Sequence, residues 1–483
     1  MGHVIHTEEQ AMAIESLRKF LAAEAEPVFS KQYRDQFVPR AVMAGLTRQL
    51  TRFGLISGVV SEASGGLGLD WQTSLKLFEE VAACSVDLSV PVLINSFGAY
   101  LLEQVASPEI RARYLPGLLA GESFVSMGIS EPGVGSNVME IKTRARRDGD
   151  HWVISGEKTW ISNGAYSDFL ICLCRTSDDP RQGLTQILID RQEHGYEVRD
   201  IHKIALNSQS TVQIFLDEVR VPLANTIGGE SGALKRTLAH FEKSRAFVAM
   251  QSVGLARRAL EEAVAYATER RQHGKVIAGH QLIAAMLAEM ATRVDAARLL
   301  VHRAAEMFDA GLGAEMEAAM AKYFACEAAV TIARQAVQIH GGNGVTRDFL
   351  VEKLAREAIV CPIPEGTTQI QQLIIARALN DRRSEGQVLG YLALVLARES
   401  KFSDARRSAE LARRLLTQVS DRLSLGVVAC IEVQLECLAG NIAAAFTAYE
   451  SATALVREMQ PGPESELGQA LVKASKVLPP QPG

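Results

Sequence analysis

At 483 residues the chain is too long for one compact core, and length alone suggests about three structural units. Hydrophobic residues at 47% and charged residues at 22% exclude a disordered or fibrous chain, and the low aromatic share of 6% favours helix over an all-β architecture. A formal net charge of −5, from 51 basic and 56 acidic residues, excludes a broad nucleic-acid surface, which needs a basic excess.

No window reaches the roughly 18 uncharged apolar residues of a membrane span. The nearest, residues 90–101, is interrupted by Pro91, Asn95, Ser96 and Gly98. The first residues, MGHVIHTEEQ, lack the basic-then-apolar layout of a signal peptide, so a cytoplasmic protein is expected. Seven cysteines, an odd number spread from Cys84 to Cys437, do not suggest a disulfide framework.

Residues 8–125 read as helices with punctuating loops. A glycine-rich turn, SGGLGLD at 64–70, precedes a helix in which Leu75, Phe78, Val81 and Ala82 recur at spacings of three and four. From about residue 126 to 229 the period changes to short runs rich in β-branched and aromatic residues (HWVIS, TWIS, FLICLC, TQILID, VQIFL), which predicts an antiparallel sheet unit. Cys172 and Cys174 share a strand face there and read as buried small hydrophobes, since a metal needs two more ligands that do not appear nearby. After Ala233 the helical period returns, and Ile283, Met286, Met290, Val294, Ala297 and Val301 form one apolar stripe. Segregated helices and strands argue for an α+β, mostly α, chain in separate layers. The expected domains are 1–125 (helical), 126–232 (β), 233–380 (helical) and 381–483 (a helical extension). In the last, KFSDA at 401–405 and NIAAA at 441–445 occupy similar places in two helix pairs, resembling degenerate tetratricopeptide repeats, whose period is about 34.

The glycine clusters GGLGLD, GVGSN and HGGNG all fail the G-x-G-x-x-G spacing, and no G-x-x-x-x-G-K-[ST] occurs, so neither a Rossmann nor a Walker-type site is expected. Three other segments carry more. In residues 127–136 (MGISEPGVGS) the glycines let backbone N–H groups approach a ligand, and Ser130 and Ser136 add hydroxyls; alone it could equally be a plain turn. In residues 156–164 (GEKTWISNG) a period of two puts Trp160 and Ser162 on one strand face, where an aromatic plate and a hydroxyl suit a flat cofactor or simply a core. In residues 363–371 (IPEGTTQIQ) Thr368 and Gln371 form a capping box, leaving Glu365 just outside a helix N-terminus beside apolar walls, either as a base brought toward neutral pKa or as a solvent-facing loop glutamate.

These segments, with YLPGLLAGE at 114–122, LDEVRVP at 216–222, ERRQHGK at 269–275 and QIHGGNG at 338–344, resemble the acyl-CoA dehydrogenase family over about residues 10–380. The resemblance implies a helical N-terminal domain, a middle β-domain and a C-terminal four-helix bundle, with FAD bound between the last two and a second subunit completing the site. By resemblance, Met127, Ile129, Ser130, Gly135 and Ser136 hold the flavin and its diphosphate, and Trp160, Ile161 and Ser162 pack against its ring. Arg270, Gln272, Gln281, Gln338, Gly341 and Gly342 reach the FAD of a neighbouring subunit, while Thr367 and Gln369 contact the flavin end. Glu365 matches the catalytic base, and Ser136, Glu242, Arg245 and Gly366 match the substrate side. Pro364 stands where many members have Tyr, and His273 where an aromatic residue is common.

The implied reaction is α,β-dehydrogenation of an acyl-CoA in fatty acid or polyketide metabolism. Glu365 removes the α-proton while hydride passes to flavin N5. The implied partners are an electron acceptor such as an electron-transfer flavoprotein and further copies of the chain, as a homodimer or homotetramer, with no metal, membrane or nucleic acid. Three readings compete: the same chemistry on an acyl group tethered to a carrier protein, which the helical extension motivates; a flavin oxygenase or oxidase on this fold, which Glu365 argues against; and a scaffold that binds proteins through residues 384–470.

Overall fold

The computed structural model describes residues 7–179 and 182–479; the start of the chain and the end of its proline-rich tail lie outside. The chain divides into two compact units, Met1–Gln372 and Leu373–Gly483.

The first unit opens with five helices: α1 (Glu8–Phe20), α2 (Arg40–Leu50), α3 (Trp71–Cys84), α4 (Val86–Val105) and α5 (Pro108–Leu119). Their starts follow local chemistry. Thr7 and Gln10 close a capping box on α1, Asp70 at the end of the glycine-rich turn caps α3, and Ser85 and Ser107 cap α4 and α5.

A sheet of eight strands follows: β1 (Val125–Gly128), β2 (Arg144–Asp148), β3 (His151–Ser162), β4 (Phe169–Arg175), β5 (Leu184–Asp190), β6 (Glu197–Asp200), β7 (Thr211–Pro222) and β8 (Thr226–Ile227), with the one-turn α6 (Arg191–His194) after β5. The order is β6-β7-β3-β2-β4-β5-β8, and β1 pairs with β4. The expected all-antiparallel pairing needs correction, because β1 and β2 both run parallel to β4. The two share one edge of β4 in tandem, Gly128 opposite Cys172 and Arg144 opposite Arg175, so the chain between them loops out of the sheet. Cys172 and Cys174 are buried in β4 with sulfurs 3.5 Å apart, as small core residues.

The long helices α7 (Ala233–Glu269), α8 (Gln281–Asp309) and α9 (Glu315–His340) come next, with the short pair β9 (Arg271–Gln272) and β10 (Lys275–Val276) between α7 and α8, then α10 (Val351–Ala358) and α11 (Thr368–Arg398). The stripe on α8 faces the core: Met290, Val294, Ala297 and Val301 are buried and Ile283 and Met286 pack against them. Helix α7 presses on α3 at Gly254, where a Cβ would meet Ala82 Cβ at 2.7 Å and Glu79 O at 2.8 Å. No helix among the described residues is long and apolar enough to cross a membrane.

In the second unit, α12 (Phe402–Gln418), α13 (Arg422–Leu438) and α14 (Ile442–Met459) start 20 residues apart, and α15 (Glu466–Val477) follows. Each of the three is preceded by a left-handed residue, Ser400, Ser420 or Gly440, and then by Lys401, Asp421 or Asn441 at the helix entrance. KFSDA and NIAAA thus mark equivalent helix starts, at 40 residues per helix pair where a tetratricopeptide repeat has about 34.

Candidate functional site

The segment that leaves the sheet between β1 and β2 is the one beginning MGISEPGVGS. Lys158 of β3 holds its base. This side chain is fully buried, and its Nζ donates to Ile129 O at 3.1 Å, Leu173 O at 2.8 Å and Glu131 Oε1 at 2.9 Å. One ammonium so replaces ladder hydrogen bonds where β1 has ended and β2 has not begun. Glu131 also accepts from the Lys142 and Thr143 N–H groups, both at 2.8 Å. Burial alone pushes the Glu131 carboxyl up, but Lys158 and these N–H groups outweigh it and hold the carboxyl below its ordinary value.

Above this anchor the loop is open. Met127, Ile129 and Ser130 are half-buried, Gly135 and Ser136 are exposed, and a Cβ on Gly133 or Gly135 would meet nothing within 4 Å. Ser130 O accepts from Thr159 N at 2.9 Å, which ties the loop to β3 next to Trp160. The alternation of β3 breaks just before Trp160, where Lys158 and Thr159 are buried in succession. The β3–β7 register shifts between Lys158 and Ile161, and Trp160 sits at φ +62° in this bulge. The bulge turns the indole out, 62% exposed, while Ile161 is buried and Ser162 half-buried.

Glu365 lies in the turn before α11 at φ +56°, followed by Gly366 at +89°. The predicted cap is displaced by one residue: Thr367 Oγ1 accepts from Ile370 N at 3.3 Å, while the Thr368 hydroxyl donates to Glu327 Oε1 of α9 at 2.6 Å. Gln371 Nε2 donates to the carbonyls of Glu365 (3.2 Å) and Gly366 (2.8 Å), fixing the left-handed pair. The Glu365 carboxyl points inward, where the buried Ser244 Oγ donates to Oε2 at 2.6 Å. Burial raises its pKa above the ordinary value, against the Ser244 hydrogen bond and the charges of Arg245 and Lys322. Arg245 is buried, and its Nε and Nη1 have no hydrogen-bond partner among the described residues. Glu242, one turn earlier on α7, accepts from Ala314 N at 2.6 Å.

Arg270, Gln272, Gly341 and Gly342 meet in an open groove of about 530 Å³, with His273, His280, Tyr266 and Asn343 also on its walls. Gln281 and Gln338 are exposed but do not line it, and Gln369 is exposed at the first turn of α11. A larger cavity of about 710 Å³ lies elsewhere, among α1, α3, α7 and α8. Its charges are committed to one another, Arg18 to Glu80 at 2.7 Å and Arg298 to Glu79 at 2.8 Å. Sequence reasoning missed Lys158, Glu131, Ser244 and Lys322. Three of the four stand within two residues of a candidate: Lys158 near Trp160, Glu131 next to Ser130 and Ser244 next to Arg245.

Comparison with known proteins gives three family matches: the acyl-CoA dehydrogenase N-terminal domain at residues 7–122, the middle domain at 126–219 and the C-terminal domain at 234–380. A cyclohexane-1-carbonyl-CoA dehydrogenase of Syntrophus aciditrophicus is 33% identical over 382 residues, covering 78% of this chain and 98% of its own. The solved butyryl-CoA dehydrogenase of Megasphaera elsdenii is 25% identical with a TM-score of 0.75, covering 78% of this chain and all (100%) of its own. A solved prolyl acyl carrier protein oxidase is 26% identical with a TM-score of 0.73, over 78% of this chain and 100% of its own.

Proposed function

The chain belongs to the acyl-CoA dehydrogenase family, flavoenzymes acting on CH–CH bonds, and from that premise we propose that it uses FAD to dehydrogenate an acyl-CoA thioester between its α and β carbons. The residues present fit a flavin. Trp160 offers an exposed aromatic face beside an open glycine loop anchored from below, and the 530 Å³ groove around Arg270 and Gly341 suits the adenosine end of a neighbouring subunit's FAD in a homo-oligomer. When bound, the flavin supplies the acceptor for the β-hydride, and an electron-transfer flavoprotein is the acceptor we expect to reoxidise it.

The observation that carries the reading is the Glu365 cluster. A carboxyl raised by burial, oriented by Ser244 and held in a strained turn, has the properties of a general base for the α-proton. Its own backbone N–H donates to the thioester carbonyl, where charge develops as the proton leaves. Arg245, with two uncommitted guanidinium nitrogens, and Ser136 complete the substrate side. Glu365→Gln is expected to keep the yellow flavin while losing turnover by at least about 10², measured as steady-state kcat with saturating acyl-CoA. Near-normal kcat in that variant removes Glu365 from the role.

A second reading, an acyl group tethered to a carrier protein, is favoured by the likeness to the prolyl acyl carrier protein oxidase and by the helical unit Leu373–Gly483, which a tethered substrate can use for docking. Anaerobic flavin bleaching with one acyl group on CoA and on a carrier protein separates the two. A clear preference for the free CoA thioester sinks the second.

A further inference from the structure

Helices α7 and α9 run parallel and in register, because Glu242 Oε1 meets Ala314 N at 2.6 Å and, further along both, Ser252 Oγ meets Cys326 Sγ at 3.3 Å. Lys322 lies one turn before Cys326 on α9, level with the stretch of α7 between Ser244 and Ser252. Its side chain is fully buried, and its Nζ has no hydrogen-bond partner among the described residues. The Thr368–Glu327 hydrogen bond ties the turn that carries Glu365 onto the same helix.

A buried ammonium without a partner costs several kcal/mol relative to an apolar side chain of the same length, so the fold has no need of it. We propose that Lys322 is a positioning residue for the reaction: its uncommitted charge beneath the turn holds the Glu365 carboxylate ionised and ready to take the α-proton. The inference rests on Glu365 being the base. The groups facing that carboxyl can be named from each side. Helix α7 contributes Ser244 and Arg245, and α9 contributes Lys322, its Glu327 being engaged by Thr368. From the first turn of α11, Gln371 meets only the backbone carbonyls of Glu365 and Gly366, and the Cys361 thiol donates to Glu357 O; burial pushes that thiol up to about 12, so it stays neutral at working pH. Glu242 and Glu315 act on Arg245. Lys322 and Arg245 are therefore the two cations whose charge favours ionised Glu365.

The test uses Lys322→Met, Lys322→Gln and Lys322→Arg in the FAD-loaded enzyme, with Glu365→Gln alongside. Activity needs the carboxylate, so kcat/KM falls below the base's pKa, and loss of a nearby cation moves that limb to higher pH. Both neutral variants are expected to shift it up by at least about half a unit, and Lys322→Arg to restore it. A second readout is the pH dependence of α-proton loss from a bound thioester analogue that has no transferable β-hydrogen, followed by the flavin's absorption; the same shift is expected. Thermal melting separates a functional from a structural role, because the neutral variants should melt no lower than the parent. An unmoved limb in folded, yellow variants overturns the proposal, as does failure of both neutral variants to fold. If Glu365→Gln retains full activity, the base assignment itself fails; if it is inactive while the limb stays unmoved, only the role of Lys322 fails.

Discussion

Lys158 carries a structural duty that no single hydrogen bond could. Its ammonium gathers two carbonyls and a carboxylate at the point where the β1–β2 edge is interrupted, and so sets the origin of the Gly133–Gly135 loop. Replacing it with Met leaves Glu131 buried without its cation, a loss on the scale of about 3–5 kcal/mol for breaking a buried pair from one side. Lys158→Met is expected to melt well below the parent and to copurify with substoichiometric FAD, measured as the flavin-to-protein absorbance ratio. Full flavin occupancy at an unchanged melting temperature sinks the anchoring role. Because Glu131 is held below its ordinary pKa, its contribution is present above the usual carboxylate range and is lost as pH falls through the depressed value. The sequence marks Lys158 only by its nearness to Trp160; its anchoring role is not legible there. A lysine between two motif residues reads as a solvated strand position, and only the strand ending at Gly128 gives it three acceptors.

At the scale of elements, periodicity located what depends on local chemistry. The apolar stripe of α8 faces the core as its spacing predicts, α3 begins directly after the glycine-rich turn, and KFSDA and NIAAA occupy equivalent places in their helix pairs. Pairing was less accessible. The parallel placement of β1 and β2 against β4 depends on pairing with a strand well further along the chain (Val125 with Phe169, Arg144 with Arg175), and no local pattern encodes that choice. The bulge at Trp160 is a further case. The alternation in GEKTWIS looks regular, yet β7 sets the partner count, and one extra residue turns the indole to the surface. The cap of α11 moved by one residue for a similar reason, since Glu327 of α9 claims the Thr368 hydroxyl and leaves Thr367 to cap. Glu365 is readable as a motif residue; the partners that tune it, Ser244 and Lys322, stand on helices more than forty residues away from it in sequence.

Across the first unit as a whole, one buried cluster joins the helical, sheet and bundle regions. Asp87 at the start of α4 accepts from Ser208 N at 3.0 Å and Gln209 N at 3.2 Å, and from Lys353 Nζ of α10 at 2.6 Å, while Lys353 also pairs with Glu357. Burial raises the Glu357 carboxyl to about 7, with the Asp87 charge adding to the rise and Lys353 opposing it. The sign follows from linkage. A carboxyl raised on folding binds a proton that the unfolded chain has already released, so its stabilisation is complete below the ordinary carboxylate pKa and is lost as pH rises through about 7. The parent protein is therefore expected to lose melting temperature between about pH 5 and 8. Glu357→Gln, which keeps an uncharged acceptor for Lys353 and leaves Asp87 as its counter-ion, should flatten that slope. Melting curves recorded at half-unit intervals in a flavin-saturated sample decide the matter. Parallel pH dependences for parent and variant would mean that Glu357 stays ionised throughout and that the Asp87–Lys353 pair alone holds the three regions together.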